Sequence, residues 1–306
     1  MSPPVYERMA VIGFGLIGSS VARAARATRA TNTVVAFDLD AAVRERVLEL
    51  GLADRAESDL AAAVRGADLV VLATPVGSIG EVARMVAPLL DSGATLTDVG
   101  SCKAVVAEAF AAMGRDDIHT IPGHPVAGTE KSGPDAGFAE LFHNRWVILC
   151  PPEGVNKEAV ERLSAFWRTL GAKIEHMDAA HHDLVLAVTS HLPHLIAYNI
   201  VGTAADLETV TEAEVMKFSA GGFRDFTRIA ASDPTMWRDV FLNNKGAVLE
   251  VLARFTEDLH MLSRAIRWGE GDKLHELFTR TREIRRGVIA LGQETPEANF
   301  GRDRKA

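Results

Sequence analysis

Cysteine is nearly absent. The 306-residue chain has two, Cys102 and Cys150, each beside or within a strand-like apolar stretch, which speaks against a disulfide framework and for a reducing compartment. Basic residues are in deficit: 33 Lys and Arg stand against 41 Asp and Glu, a net charge of −8. A nucleic-acid surface normally carries a basic stripe, and none is visible. Long apolar runs are missing too. No uninterrupted stretch approaches the roughly 18–20 residues of a membrane span. The N-terminal Met1-Ser-Pro-Pro-Val-Tyr-Glu-Arg8 lacks an apolar signal core. The expectation is a cytoplasmic protein with no nucleic-acid and no membrane partner. What is present is ordinary for a globular chain, 47% hydrophobic and 24% charged, and long enough for two domains.

The first half alternates β-branched runs with alanine-rich helical stretches. Strands are predicted at Met9–Ile12, Thr33–Phe37, Asp68–Ala73, Thr95–Asp98, His119–Ile121, Trp146–Cys150 and Lys173–Met177. Helices are predicted from Leu16 to about Thr28, Ala41 to Leu50, Ser78 to Leu90, Val105 to Met113 and Lys157 to Leu170. Continuous apolar strands spaced by helices predict a mostly parallel sheet covered on both faces. After Asp178 the strand signal stops, and His181 to about Leu207, Pro234–Arg267 and Gly271–Leu291 show helical apolar spacing. The fold class is therefore α/β: a Rossmann-type domain at 1–178 and an all-helical domain at 179–306.

Gly13-Phe-Gly15-Leu16-Ile17-Gly18 follows a strand and opens a helix. Gly13 permits the tight turn, Gly15 lets backbone approach a pyrophosphate, and Gly18 lets helix and strand pack closely. The N–H groups at the helix start face the phosphates. Asp38 ends the second strand about 20 residues further on, where a carboxylate accepts ribose hydroxyls and repels a 2′-phosphate. The expected cofactor is NAD. Asp40 remains an alternative for the same task. Ligands of such sheets sit beyond the strands' carboxyl ends, which places Thr74, Pro75, Gly100 and Ser101 near the nicotinamide.

His124, in Gly123-His-Pro-Val-Ala-Gly-Thr-Glu-Lys-Ser-Gly133, follows the strand ending at Ile121. Pro125 biases it toward an extended backbone, and a histidine at the cofactor edge of a sheet suits acid–base work. Further on stand Ser190-His191-Leu-Pro-His194, Gly221-Gly222-Phe-Arg-Asp-Phe-Thr-Arg228 and Asp233-Pro-Thr-Met-Trp237.

Together with GFGLIGSS, DVGSCK and FAELFHNRW, these motifs resemble the prephenate/arogenate dehydrogenase family of tyrosine biosynthesis, in order and over nearly the whole chain. Cys102 stands where that family often has valine. The resemblance implies NAD-dependent oxidative decarboxylation of prephenate, arogenate or both by a stand-alone enzyme, without an attached mutase or regulatory domain. It implies that His124 accepts a hydrogen bond from the substrate hydroxyl, while Ser101 orients either His124 or that hydroxyl. Arg228 grips the ring carboxylate, a task suited to a planar, permanently charged fork. His191 contacts the substrate side chain, with His194 either sharing that contact or packing between domains. Thr129 and Glu130 line the pocket. Dimerisation through the helical half is implied, with the Gly221–Gly222 loop reaching toward the neighbour's site. Trp237 is expected in the helical core, and Lys103 and Lys131 as exposed loop lysines without a role.

Three other readings compete. A β-hydroxyacid-type dehydrogenase would use Lys245, beside Asn244, and leaves His124 and Arg228 without roles. A metal site from His181, His182, His191 and His194 lacks a completing carboxylate or cysteine set. A non-catalytic NAD-sensing regulator on the same fold does not explain His124, Ser101 and Arg228.

Overall fold

The computed structural model describes residues 3–129, 131–206 and 221–290. In chain order it begins β1 (Tyr6–Ile12), α1 (Leu16–Thr28), β2 (Thr31–Phe37), α2 (Ala41–Glu49), β3 (Arg55–Glu57) and α3 (Leu60–Val64). There follow β4 (Leu69–Leu72), α4 (Val76–Val86), β5 (Thr95–Asp98), α5 (Ala104–Ala111) and β6 (His119–Ile121). These six strands form one sheet in the order β3-β2-β1-β4-β5-β6, every pairing parallel. The order reverses between β1 and β4, and that is the crevice where ligands of doubly wound sheets bind.

The strand residues earn their burial. Leu69, Val70, Val71 and Leu72 of β4 are all fully buried, as expected of a central parallel strand covered on both faces. One face carries a cluster with Val21, Leu163, Phe166 and Trp167 from α1 and α6 (Lys157–Thr169). The other carries Ile79 and Val106 from α4 and α5. The polar β3 escaped the sequence reading because it is an edge strand with β2 as its neighbour and little apolar surface.

The predicted strands Trp146–Cys150 and Lys173–Met177 form, but not in that sheet. β7 (Gly123–Pro125), β8 (Trp146–Leu149) and β9 (Lys173–His176) make a separate three-stranded sheet. Pro122 marks the change. It has no N–H for a ladder, and its carbonyl accepts the amide of Cys150, at 2.8 Å. The chain thus passes from β6 directly into a strand antiparallel to β8.

The helices that follow are α7 (Ala179–Leu186), a π-helical stretch Ala187–His191, α8 (Leu192–Ala205), α9 (Gly221–Thr227), α10 (Pro234–Asn243), α11 (Lys245–Arg267) and α12 (Gly271–Ala290). The predicted ends at Leu207 and Leu291 lie outside the described residues. Two predicted helices are interrupted. Pro193 has no N–H for the carbonyl of Thr189, and the π-stretch just before it absorbs the change of register. The predicted Pro234–Arg267 helix breaks at Asn244 (φ −114°, ψ 32°), whose side chain turns inward.

Contacts divide the chain into two compact units, Met1–Leu249 and Glu250–Ala306. The helices between Ala179 and Asn243 fall in the first because they pack on it: Trp237 and Val240 of α10 join the core over α4 and α5. Ala179–Ala205 is, by length and composition alone, apolar enough to cross a membrane, with a mean hydropathy of 1.4 over 18 residues. Its buried side chains include His182, Asp183 and His191. Among the described residues the second unit holds the rest of α11 and α12, where Met261, Ile266, Trp268, Phe278 and Ile284 are exposed.

Candidate active site

The glycine turn between β1 and α1 is tight at its first and third glycines. Gly13 has φ +97°, and a Cβ there would lie 2.8 Å from the carbonyl oxygen of Ala73. A Cβ on Gly18 would lie 2.1 Å from the Gly13 carbonyl oxygen. Around Gly15 the space is open. Gly15 caps α1 without a side-chain bond, so the N–H groups of Leu16, Ile17 and Gly18 lack intrahelical partners and favour an anion. Asp38 is held by the turn itself: its Oδ2 accepts from the Phe14 amide at 2.9 Å and its Oδ1 from the Asp40 amide at 3.0 Å. Asp40 is committed elsewhere, as the N-cap of α2, accepting from the Ala42 amide. Beyond β4, the buried Thr74 Oγ1 has no hydrogen-bond partner among the described residues. Pro75 caps α4. The open space around Gly15, the anchored carboxylate of Asp38 and the orphaned hydroxyl of Thr74 at the switch point fit a dinucleotide.

Lys103 is a correction to the sequence reading. It is fully buried rather than exposed. Its ammonium pairs with Asp98 at the end of β5 and donates to the Gly123 carbonyl at 2.7 Å. Asp98 also accepts from the amides of Gly100, at 2.8 Å, and Gly123, at 3.1 Å. Burial raises the Asp98 carboxyl above its ordinary value, opposed by the Lys103 charge and these donors. Gly100 has no room for a side chain, since a Cβ would sit 2.7 Å from Ile79 Cδ1. This pair therefore clamps Gly123, and with it the start of β7, beside the carboxyl end of β5. Lys131 is exposed, as expected.

His124 occupies the centre of β7 and is 8% exposed. Its Nδ1 lies 2.9 Å from Nε2 of His182, and Nδ1 of His182 lies 2.8 Å from Oδ1 of Asp183. Asp183 also accepts from the amides of Lys103 and Ala104, at 2.7 and 2.9 Å, at the N-terminus of α5. Burial alone would raise the Asp183 carboxyl, but these donors hold it below the usual carboxylate range. A carboxylate only accepts, so the hydrogen between it and His182 is on His182 Nδ1. Burial lowers His182 and keeps it neutral, so its Nε2 is an acceptor and the next hydrogen is on His124 Nδ1. Burial above all, with the positive charge of Lys103 adding to it, pushes His124 well below 6.5. The outcome is a neutral imidazole whose Nε2 lone pair has no partner among the described residues.

His191 is oriented the opposite way. Asn244 Nδ2 donates to the Asp183 carbonyl at 2.8 Å and lies 3.0 Å from His191 Nδ1. With the amide as donor, His191 Nδ1 accepts and its Nε2 carries the hydrogen. That Nε2 is buried without a partner among the described residues, and burial lowers His191 to about 4. His124 thus offers an acceptor and His191 a donor. His194 stacks on Trp237, with centroids 3.7 Å apart, and its imidazole is lowered first by burial and also by the charge of Arg228. Trp237 packs, as expected, but in the core against the first sheet's face.

The remaining predicted residues lie around this cluster. Ser101 is half-buried in the loop between Asp98 and α5, and Arg228 is exposed at the start of the turn after α9. The charge of Arg228 acts on His194, lowering its imidazole. Thr129 is exposed, with its hydroxyl accepting from the Lys131 amide at 3.3 Å. Glu130 lies outside the described residues. Gly221 and Gly222, expected in a loop, lie in helix α9. Asp183 and Asp98 drew no notice in the sequence as neighbours of His124, while His182 and Asn244 entered only competing readings and Lys103 was expected without a role. The adjacent His182-Asp183 at a helix start was the one local signal.

Two family models match the chain: prephenate dehydrogenase, nucleotide-binding domain, over residues 21–176, and prephenate dehydrogenase, dimerization domain, over residues 178–280. The cyclohexadienyl dehydrogenase of Zymomonas mobilis is 44% identical over 284 residues, 92% of this chain and 96% of that protein. The prephenate dehydrogenase of Bacillus subtilis is 32% identical over 286 residues, 92% of this chain and 76% of that protein. A solved structure of prephenate dehydrogenase from Aquifex aeolicus, in complex with hydroxyphenyl propionate and NAD+, is similar with a TM-score of 0.85 and 30% identity, covering 92% of this chain and 98% of that one.

Proposed function

The chain belongs to the prephenate dehydrogenase family, and from that premise we propose how its residues carry out the oxidation. It is an oxidoreductase of tyrosine biosynthesis, acting with a nicotinamide cofactor. The reaction is oxidative decarboxylation of prephenate, arogenate or both. A bound dinucleotide supplies the hydride acceptor. The cofactor is NAD, held by Gly13, Gly15, Gly18 and the amides of Leu16 and Ile17, with Asp38 on the ribose and Thr74, Pro75 and Gly100 toward the nicotinamide.

As hydride leaves the carbon bearing the hydroxyl, that hydroxyl becomes more acidic, and the ring carboxylate departs as CO₂. An acceptor placed on the hydroxyl is then worth most in the transition state. The unpaired Nε2 of the neutral, buried His124 is the single observation that carries this reading. Ser101 orients the hydroxyl, because the Nδ1 side of His124 is already taken by His182. The His191 Nε2–H donates to the substrate side chain, Arg228 pairs with the ring carboxylate, and Thr129, Glu130 and Gly222 line the approach. The 178 boundary divides a cofactor-binding from a substrate-binding and dimerising part. The exposed apolar residues of α11 and α12, Trp268 among them, are covered by a second copy in a C₂ homodimer. The protein works in the cytoplasm, without a membrane or nucleic-acid partner.

Following reduced-cofactor absorbance with prephenate and with arogenate, each with NAD and with NADP, tests this reading. Turnover with at least one substrate and NAD is expected. Turnover with neither would overturn it in favour of a nucleotide-sensing role.

A further inference from the structure

Three buried groups meet behind His124, and the role assigned to His124 above does not use them. His182 has no exposed surface, Asp183 is 3% exposed and Asn244 is 5% exposed. Nothing about packing alone requires a histidine and a carboxylate here, and burying them costs free energy unless every polar atom is matched. They are matched in one direction only. The Asp183 carboxylate receives hydrogen bonds from His182 Nδ1 and from the amides of Lys103 and Ala104, and its main-chain carbonyl receives one from Asn244 Nδ2. Each partner is a donor, and each donor fixes something further out. His182 fixes the hydrogen on His124 Nδ1. Asn244 fixes the hydrogen on His191 Nε2. The Lys103 and Ala104 amides fix the start of α5, immediately after Ser101.

We propose that Asp183, acting through His182 on one side and Asn244 on the other, sets the two site histidines in opposite tautomers, with His124 as the hydrogen-bond acceptor and His191 as the donor. His182, Asp183 and Asn244 are positioning residues, since none of them needs to touch substrate. The proposal rests on the placement of His124 at the substrate hydroxyl. A neutral imidazole has two tautomers, and the wrong one presents an N–H where the reaction needs a lone pair. Without His182, His124 Nδ1 loses the acceptor that keeps its hydrogen, and both tautomers become accessible. The fault then lies in the fraction of competent enzyme and in the transition-state bond, while substrate affinity is largely untouched. The His191 arm behaves differently. Losing the Asn244 donor frees the His191 Nε2–H to move to Nδ1, and substrate binding weakens.

The test uses the full chain labelled with ¹⁵N-histidine, its His124 ring signals assigned by their loss in His124→Gln. A multiple-bond ¹H–¹⁵N spectrum is expected to show the wild-type His124 hydrogen on Nδ1. In His182→Leu that preference should vanish, with kcat falling about 10²- to 10⁴-fold and KM within about threefold. His182→Gln keeps an amide donor and a carbonyl acceptor, and is expected to recover at least about tenfold of the lost kcat, a gain worth about 1.4 kcal/mol. A wild-type hydrogen on Nε2, an unchanged kcat in His182→Leu, or equal losses in the Leu and Gln variants would each overturn the proposal. The spectrum reads the tautomer without turnover, so inactivity of the wild-type protein on prephenate and arogenate would count against the function and not against the relay.

Discussion

Asp98 and Lys103 form an ion pair in which neither side chain has any exposed surface, and Lys103 also holds the carbonyl of Gly123. The residue before the proposed base is thus tied to the carboxyl end of β5 by a charge pair that water does not reach. Lys103→Met leaves the carboxylate buried without its cation, and breaking such a pair from one side costs about 3–5 kcal/mol. Adding Asp98→Asn removes the stranded charge and is expected to restore part of that loss. Urea denaturation midpoints check both, and a single-variant loss below about 1 kcal/mol would show that the pair is not carrying this load.

His124→Asn is expected to lower kcat by about 10²- to 10⁴-fold with a much smaller change in KM. Steady-state kinetics with the preferred substrate decide it. An effect mainly on KM would place His124 in binding instead of at the reacting hydroxyl.

Arg228→Gln is expected to do the reverse. A charge-assisted bond to a carboxylate contributes about 1.5–3 kcal/mol, so KM should rise about 10- to 100-fold with kcat little altered. An unchanged KM removes Arg228 from the substrate.

Asp38→Asn keeps an acceptor for the Phe14 amide while discarding the charge that opposes a 2′-phosphate. The ratio of kcat/KM for NADP over NAD should rise by about tenfold, the equivalent of about 1.4 kcal/mol. No change in that ratio would mean another group selects the cofactor.

Acid should weaken both fold and activity. Burial lowers His124, His182, His191 and His194 below their ordinary value. Between the folded and unfolded values the unfolded chain binds more protons, so these groups favour folding above about pH 6.5 and that advantage is lost as pH falls. For His191 the window runs from 6.5 down to about 4. Each such histidine contributes a slope of up to about 1.4 kcal/mol per pH unit. The acid limb of kcat/KM should fall below pH 6.5, where His124 becomes protonated. A limb above 6.5 would contradict a depressed imidazole.

The six-stranded sheet was readable because its central strands are continuous apolar runs and its first turn needs glycine at two positions for steric reasons local to the chain. β3 was not, because Arg-Ala-Glu at an edge carries no such pattern. Two strands of the second sheet were visible, but β7 and the sheet's separateness were not, since the change of partner happens at one proline carbonyl. His124 and Arg228 stood out through motif and position. Lys103 looked like any loop lysine until its loop closed on Asp98.

Local chemistry along the chain was enough to determine the glycine turn and the strand order's raw material and to nominate candidate reacting groups, because each depends on neighbours a few residues away. Protonation and burial were decided in three dimensions. His124 meets a residue 58 positions later and Asp183 reaches back 80 positions to an amide, and which nitrogen bears a hydrogen follows from partners that come together when the helices settle against the sheet.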